Sequence, residues 1–235
     1  MLGITLIFLR SLQRQRPKTH VSEFFDIFSL LLVTVSAYLL GAIPLAQRIS
    51  RWHGVDIFST GTRLAGSTNV RLSVGKFPAF IVLFGDIGKG GAAVVMAKYA
   101  GVSDPWLFFP IAAAVTGHWK SVFSRFRGGD GLATLGGATI AAFPVFGLIS
   151  VLVAMVVSLG AQRLPYSSLL CLVLGYAILA WLIIIYGGNW ILAVGIGGLC
   201  GLVLANASNG HRLRNRYADQ HAIEADVSGF PDSDS

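Results

Sequence analysis

Charged residues are scarce in this chain of 235 residues. Asp, Glu, Lys and Arg make up 12% of it, about half of what a soluble domain carries. That leaves too little polar surface to cover a globule in water, so the solvent around most of the chain is read as lipid. Disorder is excluded for the bulk of the chain by its 54% hydrophobic content. Acidic residues are scarcer than basic ones, 11 against 18, for a net charge of +7. Such a balance can signal a nucleic-acid partner, but the basic residues sit between apolar runs, where membrane topology explains them. No nucleic acid is expected. There are only two cysteines, Cys171 and Cys200. Both lie inside apolar runs without metal-site or disulfide spacing, and are read as small packing residues. No repeat at a fixed period is visible.

What is present is a series of apolar runs. A helix needs about 20 apolar residues to cross a bilayer. The runs predict an all-α, polytopic transmembrane helical bundle of about seven spans, near residues 28–49, 77–97, 105–119, 131–143, 144–161, 167–186 and 189–206. The run from Leu132 to Ala161 is too long for one crossing and is divided at Pro144. Residues 1–26 read as an N-terminal extension, basic through Arg10, Arg14, Arg16 and Lys18, and interfacial rather than a cleaved signal. The membrane domain is expected over 27–216. Residues 217–235 hold Asp219, Glu224, Asp226, Asp232 and Asp234 with no Lys or Arg, and read as an acidic disordered tail. Placing the 51–76 loop in the cytoplasm puts twelve of the 18 basic residues on that side. They fall at Arg48–Lys76, Lys120–Arg127, Arg163 and Arg212–Arg216. The positive-inside bias then puts the C-terminus in the cytoplasm and the N-terminus outside.

Chemistry is sought in the polar stretches, all on that same side. The first runs from Ser59 to Arg71 and holds Gly61, Thr62, Arg63, Gly66, Ser67, Thr68 and Asn69. Glycines let backbone amides converge on an anion, and arginines add forked charge-assisted hydrogen bonds. A phosphate cradle and a plain solvated loop both fit. The second stretch is Thr116-Gly117-His118-Trp119, then Arg127-Gly128-Gly129-Asp130-Gly131, opening a helix. A helix N-terminus attracts anions. Asp130 opposes that and fits an N-cap instead. His118 beside Trp119 fits either a site or the interfacial belt. The third stretch, Asn206 to Arg216, includes Asn209, His211 and Arg212, and a basic helix end facing headgroups explains it equally well. Asp86 and Lys89 lie one turn apart in an apolar run, where charges are paired or functional. Gly88-Lys89-Gly90-Gly91 superficially fits nucleotide-binding patterns, but it lies within a span and follows no strand.

These stretches, in this order, resemble the bacterial acyl-phosphate:glycerol-3-phosphate acyltransferases, the integral membrane PlsY type. The resemblance runs from about Tyr38 to Arg216. It rests on Tyr38-Leu39-Leu40-Gly41-Ala42-Ile43-Pro44, on Gly66, Thr68, Asn69 and Gly75, on Asp86-x-x-Lys89-Gly90, and above all on Gly117-His118 with Phe123, Phe126 and Gly128-Gly129-x-Gly131-x-Ala133-Thr134. It implies a seven-span helical enzyme of the inner membrane with a cytoplasmic site. The implied reaction moves a fatty acyl group from acyl phosphate to the 1-hydroxyl of glycerol 3-phosphate, giving lysophosphatidic acid, without metal, cofactor or acyl-enzyme. Carried over residue by residue, Thr62, His118 and Asn209 are the expected catalytic groups. Gly61, Arg63, Gly66, Ser67, Thr68, Asn69, Arg71, Arg127, Gly128, Gly129, Gly131 and Arg212 are expected to bind substrate phosphate, with Asp86, Lys89 and Asp130 in support. The chain departs from the family pattern at Thr62 (Ser in the family), Leu64 (Asn), Leu72 (Arg, with Arg71 one place earlier), Asp130 (Lys), Asn206 (His) and Ala218 (Glu). Two expectations therefore stand: an acyltransferase of this type, and an inactive or altered-specificity relative that binds lipid or partners. A transporter is a remote third.

Overall fold

The computed structural model describes residues 20–160 and 167–207. The expectations for residues 1–19 of the N-terminal extension, Arg163, Asn209, Arg212 and the acidic tail lie outside the described residues, while 20–26 belong to the first helix. Among the described residues the elements are helical. The helices are α1 (His20–Gly41), α2 (Leu45–Trp52), α3 (Ser67–Ser73), α4 (Lys76–Tyr99), α5 (Phe108–Trp119), α6 (Leu132–Ala142), α7 (Pro144–Gly160), α8 (Ser167–Tyr186) and α9 (Trp190–Ala207). Short 3-10 turns at Asp104–Leu107 and Val122–Ser124 flank α5.

Two breaks have proline as their cause. The predicted 28–49 span is in fact two helices, because Pro44 has no N–H to donate and keeps Ile43 out of the helical region. The chain leaves α1 at Gly41 and restarts at Leu45 as the amphipathic α2. There Ala46, Gln47, Ile49 and Ser50 are buried, while Arg48, Arg51 and Trp52 are exposed. The second break, at Phe143–Pro144, separates α6 from α7 where the sequence predicts it.

Small residues let the helices approach closely, as lipid-embedded packing requires. At the α1–α5 crossing a Cβ on Gly41 would strike the Ala114 carbonyl, and one on Gly117 would strike that of Tyr38. At the α4–α6 crossing, Gly90 lies on the Thr134 carbonyl and Gly137 on that of Ile87. The largest buried cluster joins α5 and α9 to α4, α6 and α8, through residues such as Ile111, Val94, Leu135, Leu179 and Ile196. Hydrogen bonds fix which ends meet. At one end Ser29 Oγ donates to the Ala100 carbonyl, and Lys98 Nζ donates to the Ala141 carbonyl at 2.8 Å. At the other, Tyr38 donates to the Lys120 carbonyl and the Ala65 amide to that of Gly128. The loops after α2 and after α5 therefore share one end.

The outer surface is apolar. Leu31, Phe77, Phe84, Val156 and Ile184 are all more than half exposed, far beyond the patches a soluble monomer shows. Among the described residues four helices, α4, α8, α9 and the α1–α2 unit, are long and apolar enough to cross a bilayer, while α6 and α7 are shorter apolar helices. This is an integral membrane protein.

Candidate active site

Asn69 builds the first loop. It is 1% exposed and sits in the first turn of α3, which begins after Gly66. Its Nδ2 donates to the carbonyls of Ile57 (2.9 Å), Thr60 (3.1 Å) and Leu64 (3.0 Å). Its Oδ1 accepts from the Thr62 amide and from Ser73 Oγ. Every polar atom of the Asn69 side chain is thus spent on holding residues 57–64 around it. Gly61 (φ +54°) packs against that Oδ1, where a Cβ has no room. Thr62 is half-buried, Ser67 likewise, and Arg63, Thr68 and Arg71 lie at the loop surface. Arg63 holds a left-handed backbone (φ 56°), uncommon for a residue with a Cβ.

The second loop folds back on α5. The Gly129 amide donates to the His118 carbonyl, and Ser121 pairs with Arg127 across an isolated bridge. Ser121 Oγ donates to the Ala42 carbonyl and Ser124 Oγ to Gln47 Oε1 (2.6 Å). These tie the loop to the α1–α2 break. Arg127 lies 4.0 Å over the Phe58 ring and donates to the Phe58 carbonyl, which joins the two loops. Gly131 (φ +89°) lies against the Trp119 indole, whose Nε1 donates to the Asp130 carbonyl. Asp130 Oδ1 accepts from the Leu132 amide at 3.2 Å. Asp130 thus takes a free N–H of α6, one place upstream of an N-cap; the cap position itself is Gly131.

Between the loops, inside the bundle, lies a charged cluster. Lys89 Nζ is 2.9 Å from Asp86 Oδ1 and donates weakly to the Ile43 carbonyl. His118 Nδ1 is 3.7 Å from the same Asp86 oxygen. All three residues are buried, at 3–6% exposure. His118 is therefore not a member of an interfacial belt: α5 ends where its last turn meets the middle of α4. On its far side the ring abuts Gly129, where a Cβ would collide with it. Asp86, Lys89, His118, Arg127, Gly128 and Gly129 line one small cleft, along with the α1–α2 break. Thr62, Arg63, Arg71 and Asp130 are not among its lining residues; they belong to the loops around it. Sequence reasoning missed Gln47, Ser121 and Ser124, whose partners lie on other elements.

A profile of the family described as glycerol-3-phosphate acyltransferase matches residues 31–216. The chain belongs to the glycerol-3-phosphate acyltransferase family. Its curated relatives include glycerol-3-phosphate acyltransferase 1 of Deinococcus radiodurans, 43% identical over 125 residues, covering 53% of this chain and 63% of that protein. A glycerol-3-phosphate acyltransferase of Thermus thermophilus is 43% identical over 123 residues, covering 52% of this chain and 59% of that protein. Each match spans less than two thirds of the relative. Among solved structures, PlsY, an integral membrane glycerol 3-phosphate acyltransferase, superposes in its glycerol 3-phosphate form with a TM-score of 0.68 at 29% identity, over 80% of this chain and 92% of that one. Its lysophosphatidic acid form gives 0.66. The all-helical membrane architecture of this chain is thus that of the family.

Proposed function

We propose that this protein transfers a fatty acyl group from acyl phosphate to the 1-hydroxyl of glycerol 3-phosphate, releasing phosphate and lysophosphatidic acid. The observation that carries the reading is the cleft floored by Asp86, Lys89 and His118 and lined by Arg127, Gly128 and Gly129, with the first loop held beside it through Ala65. The cleft is small, about 10 Å³ in cavity volume, room for about one water molecule. The polar heads of both substrates would therefore sit at its mouth, between the two loops, with the acyl chain left in lipid. Arg63, Arg71 and Arg127 would hold the phosphates, with the Gly128 amide as donor to the developing oxyanion and Gly129 leaving room beside the His118 ring. The glycerol hydroxyl oxygen attacks the acyl carbonyl carbon, the carbon–oxygen bond to phosphate breaks, and His118 takes the hydroxyl proton for return to the leaving phosphate. Thr62 and Asn209 would orient the hydroxyl, and Arg212 would add a phosphate contact.

The same reading takes seven crossings, a 27–216 membrane domain, an inner-membrane location, and site loops and C-terminus in the cytoplasm. Loops that share one end of the bundle agree with that orientation, and the basic residues favour the cytoplasm for them. A second reading, altered specificity, is favoured by Asp130. Its carboxylate already occupies the Leu132 amide that an anion would use at the start of α6.

Calorimetric titration of purified protein with glycerol 3-phosphate tests the phosphate assignment. Arg71→Ala should weaken binding about tenfold or more, since a charge-assisted hydrogen bond contributes ~1.5–3 kcal/mol. Unchanged affinity would remove Arg71 from the site.

A further inference from the structure

The loop between α5 and α6 turns its apolar side chains outward. Phe123 is 55% and Phe126 61% exposed, although both lie beside a buried polar cleft. The turn that presents them is built, not slack. Arg125 and Phe126 both hold left-handed backbones (φ 54° and 59°), a conformation that costs a residue with a Cβ of the order of 1 kcal/mol or more. The loop satisfies its own backbone: the amides of Ser124 and Phe126 donate to the Ser121 carbonyl, and that of Arg127 to the Ser124 carbonyl. Irregular backbone at membrane depth survives only when its polar groups are paired in this way.

Depth decides what meets these rings. His118 lies beside Asp86, and Thr134 beside Gly90, so both ends of the loop that joins them are level with the middle of α4. The exposed, lipid-facing residues of α4 continue past that level through Phe84 and Phe80 to Phe77. Phe77 precedes Asp86 by nine residues, about 13 Å of helix at 1.5 Å per residue. Hydrocarbon and headgroups that bathe Phe77 also reach the level of the loop. The exposed charges here are basic, with Asp56 and Asp130 just beyond the two segments that carry them. Lys120 and Arg125 on the loop and Arg48 and Arg51 on α2 are exposed, and neither segment 41–55 nor segment 117–129 contains an acid. Ser124 Oγ on Gln47 joins the two into one rim.

We propose that this rim is a wedge seated in the anionic headgroup layer beside the cleft. Phe123 and Phe126 reach the acyl boundary, while Lys120, Arg125, Arg48 and Arg51 extend to lipid phosphates. Aromatic bodies and basic side chains divide in this way at a bilayer surface. The wedge stands independently of the acyl-transfer chemistry.

Nitroxide labels at F123C and F126C, in a C171A/C200A background, would be read by their collisions with oxygen and with an aqueous nickel chelate. The protein is reconstituted in bilayers of phosphatidylglycerol and phosphatidylethanolamine, and separately in phosphatidylcholine alone. Both labels should favour oxygen in the anionic bilayer, with S59C on the neighbouring loop favouring nickel. Depth should decrease in phosphatidylcholine, and K120Q/R125Q should abolish the difference between bilayers. Quenching of Phe126→Trp by brominated lipid, measured in the otherwise native chain, gives the same readout without labelling. Labels that favour nickel in the anionic bilayer would overturn the proposal and make the rim a docking face for an acidic soluble protein. Equal depth in both bilayers would overturn the electrostatic part.

Discussion

Replacing Lys89 by Met should destabilise the protein by about 3–5 kcal/mol, the usual cost of stranding one charge of a buried pair. Lys89 Nζ lies 2.9 Å from Asp86 Oδ1, and both residues are less than a tenth exposed. At that separation the attraction is about 6 kcal/mol for an effective dielectric of ~20, most of it offset by desolvation of the two ions. Deleting the ammonium removes the attraction and leaves the carboxylate buried, with His118 Nδ1 at 3.7 Å as its nearest remaining ionisable neighbour. Deleting both charges removes both desolvation costs. The double variant Asp86→Leu with Lys89→Met should therefore be no worse than either single change, and can exceed the parent in stability. Equilibrium unfolding in mixed detergent micelles measures all four corners of the cycle. A Lys89→Met cost below about 1 kcal/mol, or a double variant whose loss equals the sum of the singles, would refute the claim that these residues form one buried ion pair.

Three further outcomes follow from the packing and hydrogen bonding. Asn69→Ala should cost on the order of 3 kcal/mol, because it strands carbonyls that accept from Nδ2. Asn69→Asp should be no better, since it sets an oxygen against those carbonyls; protease cleavage within residues 57–64 reports both. Gly137→Ala should cost about 1–3 kcal/mol by driving a Cβ into the Ile87 carbonyl. Gly136→Ala, which meets the Val151 methyls at 3.6 Å, should be neutral or gain up to about 1 kcal/mol in helix propensity; thermal unfolding separates the two. Asp130→Asn keeps the Oδ1 acceptor for the Leu132 amide and removes the charge. It should tighten binding of inorganic phosphate, and weaker binding in a titration would show that Asp130 does not oppose an anion.

Much of the architecture was legible because lipid writes long apolar runs, and prolines punctuate them. Pro144 divides α6 from α7 as its missing N–H requires. The spacing of Asp86 and Lys89 allowed a pair or a site role, since residues three apart on a helix are neighbours, and the structure pairs them. Pro44 carried the same signal as Pro144, yet the run through it reads as one span, because hydropathy continues across the break. The site was less legible. Asn69 reads as a phosphate ligand from its composition, but its amide is enclosed by its own loop, and which carbonyls it meets depends on how residues 57–64 fold. His118 next to Trp119 suits an interfacial belt by sequence. Only the crossing of α5 with α4, where Ala114 and Ala93 pack in one buried cluster, buries it against Asp86. Ser121, Ser124 and Gln47 carry no local signal, because their partners are fixed by tertiary structure.

The central claim is acyl transfer at the cleft floored by Asp86, Lys89 and His118. Its most direct test is to supply the purified full-length protein, in anionic bilayers, with palmitoyl phosphate and glycerol 3-phosphate and to detect the lipid product by mass spectrometry. Lysophosphatidic acid should form in step with phosphate release, and both should be abolished in His118→Ala protein that still unfolds cooperatively. Absence of lysophosphatidic acid above a protein-free blank at high protein concentration would contradict it.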